Sequence, residues 1–125
     1  MRLLLDTHTF LWAMEGGGRL RPAAAEMIAD SDNDLFLSVI SVWEIGIKTA
    51  IGKLRAPSDI ESGMRGLGAA PLVMDLSHAL HAARLPLHHR DPFDRLIVAQ
   101  AIVEQMSLVT RDHVLANYGV SIIAA

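Results

Sequence analysis

The chain has 125 residues, 51% of them hydrophobic and 20% charged, which is enough for one domain spanning 1–125 around a single core and too few for two. Eleven Lys and Arg against fourteen Asp and Glu leave a formal charge of −3, which excludes a uniformly basic nucleic-acid coat and requires any such attraction to be local. The absence of cysteine excludes disulfides and thiolate metal sites; with no apolar stretch near the ~20 residues of a membrane span and no leader-like start, the reading is a soluble, cytoplasmic protein that does not engage a membrane.

Mean hydropathy is +0.31, high for so small a body, and the apolar surplus is expected in a homodimer or partner interface.

In chain order, the aliphatic run at 2–5 is of strand length and gives way to Asp6, after which residues 7–14 form a short apolar helix. Gly16-Gly17-Gly18 is a turn; no Gly-Lys-Ser/Thr follows, so it is not a phosphate loop. Residues 22–29 open with Pro22 at a first-turn position and read as a helix. A second strand is expected over 35–40, followed by a helix over 42–50 with Trp43, Ile47 and Ala50 at helical spacing. Two further helices are expected over 59–67 and 77–84, ended by Gly68 and Pro86, with a short strand at 72–74 between them. The clearest helix runs over 92–105: Asp91 is its N-cap, Pro92 its first residue, and it is apolar nearly all round, as befits burial against a sheet or a second subunit. Strands at 107–110 and 119–124 close the chain. Strand and helix in alternation predict an α/β protein, a three-layer α/β/α sandwich with a central parallel sheet.

Four carboxylates fall where an apolar run gives way to a turn or helix: Asp6, Glu44, Asp94 and Asp112. In an open parallel sheet the carboxyl ends of the strands share one edge, so residues just past them converge on one crevice. Converging carboxylates call for a hard divalent cation such as Mg²⁺ or Mn²⁺. Each also has a structural explanation. Asp6 must either cap the next turn or serve a site, Ser41-Val42-Trp43-Glu44 is a capping box, Asp94 at N3 behind the N-cap Asp91 favours the helix dipole, and Asp112 can cap a final short helix. Four unrelated caps have no reason to share one sheet edge, and the joint reading favours a metal site.

Histidines offer a rival zinc arrangement through His78, His81, His88 and His89. Without a metal-binding spacing motif, surface or capping roles are preferred for them, and only His8 and His113 flank the carboxylates. The basic groups are Arg19 and Arg21, then Lys48, Lys53 and Arg55, then Arg84 through Arg90, each cluster equally readable as a solvated face.

Taken together, Leu5-Asp6-Thr7-His8, the segment Ser38 to Ile45 with Lys48 and Gly52-Lys53-Leu54, Asp91-Pro92-Phe93-Asp94-Arg95 leading into Ala99-Gln100-Ala101, and Leu108-Val109-Thr110-Arg111-Asp112 resemble a PIN domain. More narrowly, the chain resembles the VapC-type toxins of type II toxin–antitoxin pairs. The resemblance implies a PIN-like fold and an endoribonuclease dependent on Mg²⁺ or Mn²⁺, with Asp6, Glu44, Asp94 and Asp112 as the catalytic, metal-binding quartet and Thr110 as the hydroxyl beside it. It also implies a homodimer, a VapB-like antitoxin covering the groove, and contact with operator DNA only through that antitoxin. Arg95 and Lys48 lie about a turn from Asp94 and Glu44, which makes each a candidate for contacting phosphate.

Phosphodiester hydrolysis needs an activated water and stabilisation of developing charge, both within the reach of divalent ions, and needs no side-chain nucleophile. A phosphotransferase using Asp6 as nucleophile would want a second Asp where His8 stands. A phospho-accepting receiver would want an acidic pair at the first strand and a Lys after the last. A PIN domain retained only for binding is the remaining alternative, opposed by the complete carboxylate set.

Overall fold

A computed structural model describes residues 1–88 and 91–125. Five strands, β1 (Arg2–Leu5), β2 (Asp34–Ser38), β3 (Ala69–Leu72), β4 (Ser107–Thr110) and β5 (Ile122–Ala124), form one sheet in the order β3-β2-β1-β4-β5 with every neighbouring pair parallel. Among the described residues six helices alternate with them: α1 (Thr7–Met14), α2 (Pro22–Ala29), α3 (Val39–Ala50), α4 (Ile60–Leu67), α5 (Leu76–Arg84) and α6 (Pro92–Glu104). A 3₁₀ helix spans His113–Tyr118.

The strand period of two sorts the core into two layers. Leu3 and Leu5 of β1, with Leu35, Leu37 and Val109, pack on one face against Phe10, Leu11 and Ala13 of α1, Ala24 and Ile28 of α2, and Met64 of α4. Leu4 and Leu108 point the other way, onto Ile97, Val98 and Ala101 of α6 and Leu115 of the 3₁₀ helix. With both faces covered, the strands can be almost wholly aliphatic, and the three central β1 leucines have no exposed surface. The expected α/β/α sandwich is the observed architecture. No helix of the described residues is long and apolar enough to cross a membrane.

Three segments depart most from the sequence reading. The second strand ends at Ser38 rather than at residue 40, because Ser38 caps the next helix, its Oγ accepting from Ile40 N at 3.0 Å. Helix α3 therefore begins at Val39, three residues early, and Ser41 and Glu44 lie inside it; no Ser41 capping box forms. An aliphatic run such as Val39-Ile40 has no period by which to tell strand from helix, and the cap decides. Strand β3 lies at Ala69–Leu72 instead of 72–74 and includes Pro71, which an edge strand tolerates because one of its sides has no ladder partner. The last strand is shorter than expected, since the turn at Gly119 (φ +77°) and the irregular residues Val120 and Ser121 precede Ile122. Gly68 (φ +73°) closes α4, and α5 stops before Pro86. Helix α6 ends on Gln105, which caps it in the left-handed conformation at φ 55°.

Candidate active site

The chain lays down β1, β2 and β3 outward on one side and then crosses to β4 on the other side of β1. Such a reversal of strand order leaves a crevice at the carboxyl ends of the two strands that flank it. Asp6 follows β1 directly, and Thr110 and Asp112 come from the end of β4. Asp6, Asp94 and Asp112 line one cavity of about 440 Å³ there, together with His8, Trp12 and Arg111.

Asp6 is held from both sides. Its Oδ1 accepts from Thr9 N at 2.8 Å as the N-cap of α1, and its Oδ2 accepts from the Thr110 hydroxyl. The same Thr110 oxygen accepts from Asp112 N at 3.1 Å, while Asp112 Oδ1 accepts from Val114 N at 3.1 Å to start the 3₁₀ helix. Thr110 is 1% exposed. One buried hydroxyl thus ties the Asp6 carboxylate to the Asp112 backbone. At Asp6 and Asp112 the cap and the place in the cavity coexist, because a carboxylate at a helix start can accept from backbone with one oxygen and face the crevice with the other.

Asp94 arrives differently from the expectation that each carboxylate follows a strand. It sits in the first turn of α6, which follows α5 rather than a strand. Asp91 caps that turn, its Oδ1 accepting from Phe93 N at 2.9 Å and from Asp94 N at 3.3 Å.

Glu44 is 3% exposed and does not line the cavity. Its Oε1 accepts from Thr7 Oγ1 at 2.5 Å, Thr7 Oγ1 stands 3.0 Å from Ser41 Oγ, and its Oε2 meets the Lys48 ammonium at 2.5 Å. Lys48 also lies 4.0 Å from Asp91 Oδ2 and 5.7 Å from the Phe93 ring centroid. Burial draws the Lys48 pKa down, but the hydrogen bond and charge of Glu44, joined by the charges of Asp91 and Asp94, outweigh it and hold the ammonium above its ordinary value.

Of the other residues singled out in the sequence, Arg95 turns to the carboxyl end of α5, donating to the carbonyls of Ala82, Leu85 and Pro86 at 2.9–3.1 Å. A guanidinium there satisfies the orphan carbonyls of that helix end. His8 lines the cavity and His113 does not. His89 and Arg90 lie outside the described residues. Trp12 and Arg111 are the cavity residues that the sequence reading passed over. Their signal was spacing: Trp12 is one helical turn past His8, and Arg111 adjoins Asp112.

Among the described residues, the one trio of His or carboxylate ligand atoms within 4.8 Å of one another is Asp75, His78 and Glu104. Its spacing suits an ion, yet the imidazole is already used. Asp75 N donates to Nδ1 at 3.1 Å, which puts the ring hydrogen on Nε2, 2.9 Å from Glu104 Oε1. His78 therefore caps α5 and ties it to α6, the capping role expected of it. The carboxylates of the sheet edge are spaced more widely than that trio. Their donor set, all carboxylate oxygen with a hydroxyl behind it, is what Mg²⁺ and Mn²⁺ prefer, and three acidic groups sharing one cavity favour a bound cation.

Comparison with known proteins supplies the context. The chain is 32% identical over 123 residues to Ribonuclease VapC22 of Mycobacterium tuberculosis, covering 93% of this chain and 91% of that protein. Its fold is similar to VapBC2 from Rickettsia felis bound to a promoter DNA fragment (TM-score 0.73, 16% identity, 99% of this chain and 98% of that one). It is also similar to DNA-bound VapBC from Salmonella typhimurium (TM-score 0.72, 17% identity, the same coverage). The PIN domain family matches residues 3–120, and with that match over nearly its whole length, the chain belongs to the PIN domain family.

Proposed function

We propose that the protein is a metal-dependent endoribonuclease, the toxin of a type II toxin–antitoxin pair, acting in the cytoplasm. The observation that carries this reading is the convergence of Asp6, Asp94 and Asp112 on one cavity at the reversal of strand order, in a chain with a VapC ribonuclease relative along almost its full length.

Asp6, Asp94 and Asp112 would hold Mg²⁺ or Mn²⁺ through their carboxylate oxygens. Such an ion supplies charge neutralisation at the phosphodiester and an activated water. The protein's own contribution is preorganisation. Thr110 fixes the angle of Asp6 and the backbone of Asp112, so the oxygens need not be ordered when substrate arrives. Glu44, the fourth member of the expected quartet, is buried against Thr7 and Lys48 and does not line the cavity. Lys48 is spoken for by carboxylates and Arg95 by carbonyls, so phosphate binding falls to other cations.

The two solved neighbours described above are VapBC structures, both bound to DNA. By analogy the partner here is a VapB-like antitoxin that brings the pair to operator DNA. Exposed Trp43 (60%), Val73 (65%), Leu76 (73%) and Leu87 (79%) supply apolar surface suited to a homodimer.

The test is cleavage of a mixed cellular RNA pool by the purified, partner-free protein in Mg²⁺ or Mn²⁺. Discrete fragments are expected, lost on chelation and reduced about 100-fold or more in Asp94→Asn. Cleavage that survives chelator and Asp94→Asn alike would sink the reading.

A further inference from the structure

The residues His8 and Trp12 belong to two cavities. One is the carboxylate cavity; the other, about 460 Å³, is lined by His8, Leu11, Trp12, Glu15, Arg19, Lys53, Leu54 and Arg55. The two share this aromatic wall, and their charge is opposite. Beyond His8 and Trp12 the first is lined by three aspartates and Arg111, the second by Arg19, Lys53 and Arg55 against a single acid, Glu15. Arg19, Lys53, Arg55 and Arg111 are all exposed, and they are four of only eleven Lys and Arg in a chain of net charge −3. A local concentration of this kind is where attraction to a polyanion would reside.

The fold builds this groove. Gly52 (φ +75°) turns the chain out of α3, and Lys53 N donates back to Lys48 O at 2.8 Å, which carries Lys53 to Arg55 across α1. From the other side, the Arg111 guanidinium lies over the Trp12 ring at 4.1 Å and donates to the Arg19 carbonyl. Trp12 and His8 have ring centroids 5.6 Å apart at an interplanar angle of 45°. Trp12 is half-buried and held by Arg111, while the His8 ring is exposed between the two cavities. Exposed rings alternating with cations are the means by which proteins hold single-stranded nucleic acid, bases on the rings and phosphates on the cations.

We propose that the groove of Arg19, Lys53 and Arg55 is the track for one flank of a single-stranded RNA, with a base received at the His8, Trp12 and Arg111 step between that track and the carboxylates. The proposal rests on the ribonuclease reading above and adds a direction to it. RNA is gripped on one side of the scissile bond through this groove, so the two flanks of a substrate are not equivalent.

The experiment uses the full chain, wild type and Lys53→Gln/Arg55→Gln, with a fluorescent oligouridylate for binding and, for cleavage, a substrate identified in the RNA pool. Both replaced side chains are exposed, and an unchanged melting curve establishes that the variant folds. Expected results are binding weakened about tenfold and a salt dependence shallower by about 0.7 in log–log slope per cation removed. KM should rise with kcat little changed, as for an interaction made equally in ground and transition states. Shortening the RNA on one side only should raise KM in the wild type and have no such effect in the double variant. His8→Ala should weaken binding about tenfold with the salt slope unchanged, as for lost stacking.

Unchanged affinity and slope in a variant that still cleaves would overturn the track and leave the ribonuclease reading intact. A wild type that cleaves no RNA in any metal would overturn the reading, and the proposal with it. If the double variant keeps RNA affinity but releases a copurifying protein, the groove belongs to that partner and the proposal fails.

Discussion

Glu44 is a carboxylate almost removed from water, and its charge is supported from two directions, by the Thr7 hydroxyl and the Lys48 ammonium. Removing one member of such a pair leaves the other desolvated and uncompensated, which costs more than the pair contributes. Lys48→Met is expected to destabilise by about 2 kcal/mol, below the range for fully buried pairs because Lys48 is 27% exposed and Thr7 still donates. The pH dependence follows from the raised pKa. A cation whose folded pKa lies above its unfolded value stabilises fully below the unfolded value, about 10.4 for Lys, and that contribution fades as pH climbs through the folded value. Thermal melting across pH 8 to 11 should show the wild type losing stability above about pH 10, and Lys48→Met lacking that loss. Parallel curves would remove the assignment. At this scale much was readable: Asp6, Glu44, Asp94 and Asp112 all stand out as acids beside apolar runs. That Arg95 faces α5 was not readable, because one residue's place on a helix says nothing of which neighbour's carbonyls lie opposite.

Helix α6 couples the core to the site. Its start is set by Asp91 and Pro92 and carries Asp94, while its middle buries Ile97 to Ala101. Buried Gln100 joins it to the end of β2 and to the connection after β3, accepting from the Ser38 hydroxyl at 2.5 Å and donating to Val73 O at 3.4 Å. Because Ser38 caps α3, the helices bearing Glu44 and Asp94 are tied through one amide. Two substitutions at Asp91 separate its capping from its charge. Asp91→Asn keeps an oxygen for Phe93 N and Asp94 N and should leave stability nearly unchanged, whereas Asp91→Ala should cost about 1 kcal/mol. Urea unfolding measures both; equal losses would mean that the charge beside Lys48, rather than the cap, matters at Asp91. Element identity was legible throughout, since caps, prolines and periodicity agree along the chain. The start of α3 was not. Two serines three residues apart, Ser38 and Ser41, were both able to cap, and the choice fell to strand register, with Ser38 pairing opposite Leu72 at the end of β2.

For the whole molecule, three aspartates share one cavity, and the cation proposed for it would offset their mutual repulsion. Mg²⁺ is therefore expected to stabilise the folded chain, by about 2.7 kcal/mol at a hundred times its dissociation constant. Thermal melting with and without Mg²⁺ tests this: the rise should vanish in Asp6→Asn/Asp94→Asn and persist in Asp75→Asn, since Asp75 belongs to the cap of α5 on another element pair. A rise that tracks Asp75 instead would move the metal to the His78 trio.

The amino-acid sequence by itself determined the alternation of strand and helix, the layers, and the acids that approach the sheet edge, because periodicity, caps and chain breaks are local physics recorded residue by residue. The tertiary structure decided what those acids face. Strand order joins Asp6 to Thr110 across 104 residues, helix packing brings in Asp94, and Arg111 meets Trp12 over a shared cavity wall. Contacts of that kind depend on register and crossing, which no local stretch of the chain encodes.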